Sequence, residues 1–372
     1  MSGIKAIDLF AGAGGLTLGT EMAGLPVALS VDNDGPSCDT LRLNDTHHSG
    51  GVLQADVSAL DGANLRSMAG LGKKDPLIIV GGAPCQPFSK AAYWVDNGEE
   101  AAYRRSRARG ETAVKPTTPL VARPDARRTL VQEYWRLVVE SKAEGFVFEN
   151  VPSILHPRNR HVVEGFISSA QAAGFKTTLV TANAADFGVA QARQRVFVLG
   201  SRGSEPIAPK ATHAADPEGD LLPWVGAGAA LKPFKAARFR EESENITGRW
   251  AEHLSEIPPG QNYKFHTAWA GHPSPTFETE TRYWNFLLKL APKRPSWTIP
   301  ASPGPWTGPF HWESRRLRVV ELAALQGFPQ GYRFAGPRRE QVRQIGNAVP
   351  PLLGKHMVDS LLASLAPIHA VA

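Results

Sequence analysis

Two cysteines, Cys38 and Cys85, are all that this chain of 372 residues contains. That scarcity excludes a disulfide framework and a cysteine-rich zinc site, and it predicts a reducing compartment. Long apolar runs are equally scarce. None approaches the roughly 18 residues that a membrane span needs, and Lys5 and Asp8 interrupt the stretch where a secretory signal would be apolar. A soluble intracellular protein is expected. Acidic residues are in deficit too, since 41 Lys+Arg against 35 Asp+Glu give a net charge of +6 and a pI near 9.3. By itself this points only weakly to a polyanionic partner. With 42% hydrophobic residues the chain can bury a sizeable core, so it is not disordered as a whole.

Proline and tryptophan mark the internal boundaries. Fifteen of the thirty prolines fall between Pro206 and Pro309, and seven of the nine tryptophans between Trp224 and Trp312, so the chain changes character there. On either side, short apolar runs alternate with helical patterns. Ile4 to Phe10, Val27 to Val31, Leu77 to Val80, Phe146 to Phe148 and Val196 to Leu199 read as strands. Helices are predicted over Arg127 to Lys142, Arg160 to Ala173 with Gly174 as its cap, Val319 to Gln326, and Pro350 to Leu365. This alternation predicts an α/β fold, a doubly wound and mostly parallel sheet with helices on both faces. One basic stretch, Asp96 to Arg128, carries Arg104, Arg105, Arg107, Arg109, Lys115, Arg123, Arg127 and Arg128 without clear periodicity until its end. A connection this long is either a solvated loop or functional.

Candidate ligand groups gather at the predicted strand ends. A turn, Phe10-Ala11-Gly12-Ala13-Gly14-Gly15, follows the first strand and precedes a helix, where glycines let backbone approach a ligand. Taken alone it could serve a dinucleotide, a nucleoside or nothing. Asp32 ends the second strand, where a carboxylate can accept from ribose hydroxyls; Asp34 or Ser37 could equally cap the following helix. Asp56 closes the third candidate strand, Leu53 to Val57. Cys85, in Gly81-Gly82-Ala83-Pro84-Cys85-Gln86-Pro87, sits between prolines that forbid a regular helix or central strand, so its thiol is presented on a fixed turn as a nucleophile would be. Cys38, on a predicted helix, reads as packing. Glu149 ends an apolar strand at the border of the core, where burial shifts its protonation or a partner must be found. Arg193 and Arg195 begin a strand, and a period of two puts them on one face.

Together these parts resemble the C5 cytosine DNA methyltransferases, which use S-adenosylmethionine. The glycine turn, Pro84-Cys85-Gln86, Glu149-Asn150-Val151, Gln191-x-Arg193-x-Arg195, Arg315 to Pro329, and Gln344-Ile345-Gly346-Asn347-Ala348-Val349 stand in the family's order. The resemblance covers residues 4 to about 204 and resumes near 314. It implies a catalytic domain from 1–204 and 314–372, with 205–313 inserted as a target recognition domain. Cys85 would be the nucleophile that adds to C6 of a flipped cytosine, Glu149 the group engaging N3 and the exocyclic amine, Arg195 the residue holding O2, and Arg193 its neighbour. On the cofactor side the resemblance assigns Phe10, Ala11, Gly12, Gly14, Gly15, Asp32, Asp56, Pro84, Asn347 and Val349, with S-adenosylhomocysteine as product and no metal. Two positions depart from the family: Asp32 replaces a frequent glutamate, and Asn33 replaces an aromatic ring found in some members. The basic stretch stands where the family has a mobile loop that closes over DNA. Duplex DNA is the implied partner, with a cognate restriction endonuclease beside a monomeric enzyme acting on the nucleoid. Rival readings are a transfer RNA methyltransferase on the same fold, a catalytically silent DNA-binding subunit, and a nicotinamide oxidoreductase; the last leaves the Pro-Cys-Gln and Gln-x-Arg-x-Arg motifs unexplained.

Overall fold

The computed structural model describes residues 3–84, 102–103, 106, 111–114 and 129–369. Strand β1 (Lys5–Leu9) opens a chain that continues through α1 (Gly15–Met22), β2 (Val27–Asp32), α2 (Gly35–Leu43), β3 (Gly51–Gln54), α3 (Gly62–Met68), β4 (Leu77–Gly81), α4 (Leu130–Glu140), β5 (Gly145–Asn150), α5 (Arg160–Ala172), β6 (Lys176–Asn183), β7 (Gln191–Ala192) and β8 (Gln194–Ser201). Seven of these strands form one sheet in the order β3-β2-β1-β4-β5-β8-β6. All pairings from β3 to β5 are parallel, and β8 runs antiparallel between β5 and β6. The strand order reverses between β1 and β4, so their carboxyl ends open the crevice in which such sheets bind ligands.

Both faces of the sheet are covered, as the near-continuous apolar runs of the central strands require. Alternation with period two sends Ile79, Phe146 and Phe148 into one core with Val131, Tyr134 and Leu137 of α4 and Val163 and Phe166 of α5. It sends Ile78, Val80 and Val147 into the other core, against Leu16 of α1 and Leu353, Met357 and Leu361 of the C-terminal helix. In the first core the Tyr134 hydroxyl donates to the Val147 carbonyl at 2.9 Å, with the Ile79 carbonyl at 3.1 Å. A buried phenol needs such a partner, and this one ties α4 to two neighbouring strands.

Beyond β8 regular structure thins. Short helices α6 (Ala227–Leu231) and α7 (Ala251–Glu256) stand among single 3₁₀ turns before α8 (Val319–Gln326), α9 (Arg338–Asn347) and α10 (Pro351–His369). Ala227, Leu231, Leu290 and Ile299 share a core with Leu317, Leu322, Val342 and Ile345 and with Leu18 of α1. Leu254, Ile257, Tyr263, Phe277, Leu287 and Phe310 form a separate cluster. Ser296–Trp297 pairs in parallel with β7 as a separate two-stranded sheet.

The expected strands and helices are present, with ends displaced by a few residues. Gly174 takes a φ of +86° just past α5, as its capping position predicts. The third strand stops at Gln54 rather than reaching Asp56, because the Asp56 carboxylate accepts from the Ser58 N–H and starts a 3₁₀ turn over Val57–Ala59. No helix among the described residues is long and apolar enough to cross a membrane.

Phe146 holds the first core together, in ring contact with Tyr134, Trp135, Phe166 and Phe175. Phe146→Ala is expected to cost about 3–5 kcal/mol of stability. Urea unfolding should show a lower midpoint with an unchanged slope.

Candidate active site

The turn after β1 is built on unusual backbone. Phe10 and Gly12 have φ of +60° and +54°, and the left-handed conformation of Phe10 costs a non-glycine residue on the order of 1 kcal/mol. That conformation is held by its neighbours: Ala11 N–H donates to the Val31 carbonyl at 3.0 Å, and Gly12 N–H to Asp32 Oδ2 at 2.7 Å. Asp34 N–H donates to the other oxygen, Oδ1, at 2.8 Å. Asp32 is thus clamped by two backbone amides, and burial still raises its pKa. Asp34 caps α2, accepting from Ser37 N at 3.0 Å, and pairs with Arg343 of α9 at 2.7 Å.

Gly15 packs so tightly that a Cβ there would lie 2.2 Å from the Val349 carbonyl oxygen. This contact draws the start of α1 against the segment after α9. Asn347 at the end of α9 and Val349 beyond it, with Phe10, Ala11, Gly12, Asp32, Asn33 and Pro84, line a cleft of about 330 Å³. Gly14 and Gly15 do not line it, and their role is in the turn and its packing. Asp56 does not line it either and stays an exposed cap.

Asp8 and Glu149 lie at the same opening. Asp8 accepts from the Thr17 hydroxyl at 2.6 Å through Oδ2, while its Oδ1 is buried with no hydrogen-bond partner. Burial pushes its pKa up to about 7, helped by the nearby Asp32 charge. Glu149, at the end of β5, is 8% exposed, and its Oε1 lies 2.8 Å from Arg195 Nε. Burial raises its pKa against the opposing pull of Arg195 and then Arg193. A Cβ at Gly82 would fall 2.6 Å from Glu149 Oε2, so any larger residue there would make the carboxylate move. Asn150 Nδ2 donates to the Ala83 carbonyl at 3.2 Å and ties the same segment to β5.

The two arginines of the Gln-x-Arg-x-Arg motif part company. Arg195, within β8, reaches Glu149. Arg193 falls between β7 and β8, outside the ladder, so strict period-two placement does not hold for it. Fully buried, it donates to the Gly346 carbonyl at 2.7 Å and the Ile299 carbonyl at 3.4 Å. It braces the site without lining the cleft. Cys85 and every arginine and lysine named in the Asp96 to Arg128 stretch lie outside the described residues. Asp8, Arg343 and Gln344 also line the cleft, though sequence reasoning gave them no role there. An acid inside an otherwise apolar strand was the available signal for Asp8; nothing in the sequence pairs Arg343 with Asp34 across 309 positions.

A parallel sheet with one antiparallel strand and a crevice at its switch point defines the fold of S-adenosylmethionine-dependent methyltransferases. A solved protein assigned as a DNA modification methyltransferase of an E. coli prophage shares that fold, with a TM-score of 0.65 at 21% identity over 98% of this chain and 99% of that one. Residues 4–107 and 121–363 match the C-5 cytosine-specific DNA methylase family, and the chain belongs to it. The Type II methyltransferase M.SacI of Streptomyces achromogenes is 35% identical over 391 aligned positions, covering 97% of this chain and 93% of that protein. M1.HphI of Haemophilus parahaemolyticus, also a Type II methyltransferase, is 31% identical over 96% of this chain and 86% of its own. The protein is a cytosine C5 DNA methyltransferase.

Asp8 carries a pH prediction. Its folded pKa of about 7 stands above the ordinary 3.8, so between these values the folded state holds a proton that the unfolded state has lost. Stability from this group is full below pH 4 and falls as pH rises towards 7, by on the order of 4 kcal/mol. Asp8→Asn keeps an acceptor for Thr17 and should flatten this slope when urea unfolding is compared across the range. Parallel wild-type and variant profiles would exclude the shift.

Proposed function

We propose that the cleft binds S-adenosylmethionine and that Cys85, Glu149 and Arg195 act together on a cytosine drawn out of duplex DNA. The observation that carries this reading is that buried Glu149, paired with Arg195, lines the same cleft as Phe10, Asp32 and Asn347. When bound, S-adenosylmethionine would supply an electrophilic methyl group. The residues present suit it in three ways. Phe10 offers a ring for a nucleobase, and the Asp32 oxygens each keep a lone pair for ribose hydroxyls. The unpartnered Asp8 Oδ1 calls for a donor such as an ammonium group. Ala11, Gly12, Pro84 and Val349 would complete the wall around the ligand.

Cys85 follows Pro84 directly in the sequence, and Pro84 lines the cleft. In this reading its thiolate adds to C6 of the cytosine. Glu149, pushed towards its protonated form by burial, engages N3 and the exocyclic amine, and Arg195 fixes both the carboxyl and the base O2. Ring charge then flows to C5, which would take the methyl group from the sulfonium and leave S-adenosylhomocysteine; loss of the C5 proton to a base and cleavage of the C6–S bond would release the thiolate. Arg193 acts by holding the motif in place. Extruding the base costs a few kcal/mol, and the arginine-rich stretch after Cys85 would meet that cost through phosphate contacts that weaken with salt. Residues 1–204 and 314–372 form the catalytic part, and 205–313 read the DNA sequence. A monomer acting beside a cognate restriction endonuclease completes the reading.

Bisulfite sequencing of DNA from cells expressing the protein should show 5-methylcytosine in one sequence context. Cys85→Ser should abolish it, and Glu149→Gln should lower kcat by about 10²–10⁴-fold, the range of a positioned acid–base group. Methylation of transfer RNA instead of duplex DNA, or full activity in Cys85→Ser, would overturn the proposal.

A further inference from the structure

The 205–313 segment holds a cluster of side chains that no catalytic assignment uses. Glu256 ends α7, His266 ends a 3₁₀ turn over Tyr263–His266, and His272 follows the left-handed Gly271. One nitrogen from each imidazole and one carboxylate oxygen all lie within 4.8 Å of one another. His266 is 1% exposed, and its Nε2 is 2.8 Å from the His253 carbonyl, which can only accept. The proton of the neutral ring is therefore on Nε2, and the lone pair is on Nδ1, 3.6 Å from Glu256 Oε2. His272 Nδ1 lies 2.9 Å from the Ser274 carbonyl and 3.2 Å from the Ser274 N–H; in the tautomer that donates to the carbonyl, Nε2 carries the free lone pair. A ring nitrogen that donates to a carbonyl while the other faces a ligand is the usual arrangement around a bound metal. His253 packs its ring 5.0 Å from that of His266, and its Nδ1 is buried with no hydrogen-bond partner.

We propose that Glu256, His266 and His272 bind a divalent ion of the zinc class, with water completing the coordination, as a staple within the 205–313 segment. Two imidazoles and one carboxylate suit zinc and its neighbours, whereas magnesium and calcium require oxygen ligands. A tetrahedral ion with bonds of about 2.0–2.2 Å spaces its ligands about 3.4 Å apart. His266 Nδ1 and Glu256 Oε2 already stand near that spacing, and Glu256, 58% exposed at its side chain, is free to close the rest. The backbone is arranged for the purpose. His272 N–H donates to the Thr267 carbonyl, and Thr276 and Phe277 N–H both donate to the His266 carbonyl, which closes the loop between the two histidines. Bound metal would fix the end of α7 to this loop and steady Trp269 within it, 75% exposed with Lys264 Nζ 5.8 Å from its ring. The inference stands apart from the catalytic assignments, because its readout is metal content.

The test uses full-length protein without a histidine tag, stripped with a chelator and titrated with zinc against a chromophoric competitor. One zinc per chain is expected, with Kd below about 1 μM, and a melting temperature raised by zinc but not by magnesium. Glu256→Gln and His272→Ala lie at accessible positions and should weaken binding about a hundredfold or more while the apo-protein stays folded. His161→Ala, at an exposed position on α5, should leave binding unchanged. Cobalt(II) should give the visible absorption of a tetrahedral site, and His272→Ala should alter it. No stoichiometric zinc, or equal affinity in wild type, Glu256→Gln and His272→Ala, would overturn the proposal.

Discussion

A buried carboxylate is costly unless it is paired, hydrogen-bonded or protonated, and that constraint organises the mouth of the sheet. Three acids end or nearly end β1, β2 and β5, and each meets the cost differently. Asp8 has one hydroxyl donor and is pushed towards its neutral form. Asp32 takes two backbone amides, one on each oxygen. Glu149 takes a guanidinium. Because the solutions differ, one crevice holds carboxyl groups of different protonation and donor capacity, and that difference lets a site use separate acids for separate tasks.

The Gln-x-Arg-x-Arg motif connects this mouth to the rest of the chain. Arg195 stabilises Glu149, while two residues earlier Arg193 holds the carbonyls of Ile299 and Gly346. Gly346 precedes Asn347, which lines the cleft. Gln191 adds to the same joint: its Oε1 accepts from the Ile299 N–H at 3.0 Å. A second brace lies further out. Arg318 bonds to Glu244 and, at 2.7 Å, to the Phe234 carbonyl, while Arg315 makes a two-pronged contact with Glu321 at 2.7 and 2.8 Å. Buried charge pairs of this kind add little net stability by themselves, but losing one partner leaves the other uncompensated. They therefore fix geometry more than they strengthen the fold.

The sheet was largely legible in the sequence because its central strands are buried on both faces and appear as bounded apolar runs. β6 was not foreseen: KTTLVTAN carries one lysine and three threonines among its eight residues and keeps Lys176 and Thr181 exposed at the sheet edge. α9 was missed for a related reason. RREQVRQIGN has two large apolar residues, Val342 and Ile345, and both are buried, while polar residues make up most of the rest. Glu149 and Asp32 could be found because an acid at the end of an apolar strand stands out. Their partners could not be inferred from local pattern alone. Gly12 lies 20 positions from Asp32, and Arg195 lies 46 positions after Glu149. Arg193 was misread as sharing a face with Arg195 because the break between β7 and β8 is set by tertiary contacts, here the Asn183 side chain accepting from the Arg193 N–H at 3.0 Å.

The chemistry of these joints bears on how the 205–313 segment can diverge. On the segment's side, the groups held by Arg193 and Arg318 include the backbone carbonyls of Ile299 and Phe234. Every residue has a carbonyl, so substitution on the segment's side leaves these acceptors in place provided the backbone path is kept. Arg193 has less freedom, since its planar fork donates to the Ile299 and Gly346 carbonyls together. Further out, Leu254, Tyr263, Phe277 and Leu287 bury themselves in a cluster of their own, apart from the sheet. Trp269, Tyr283 and Trp284 remain exposed around it. The outer cluster is packed apart from Glu149 and Asp32, and the contacts between the two regions run through Ala227, Leu231, Leu290 and Ile299 and through the side-chain pairs Arg318–Glu244, Arg338–Glu241 and Trp224–Asp186.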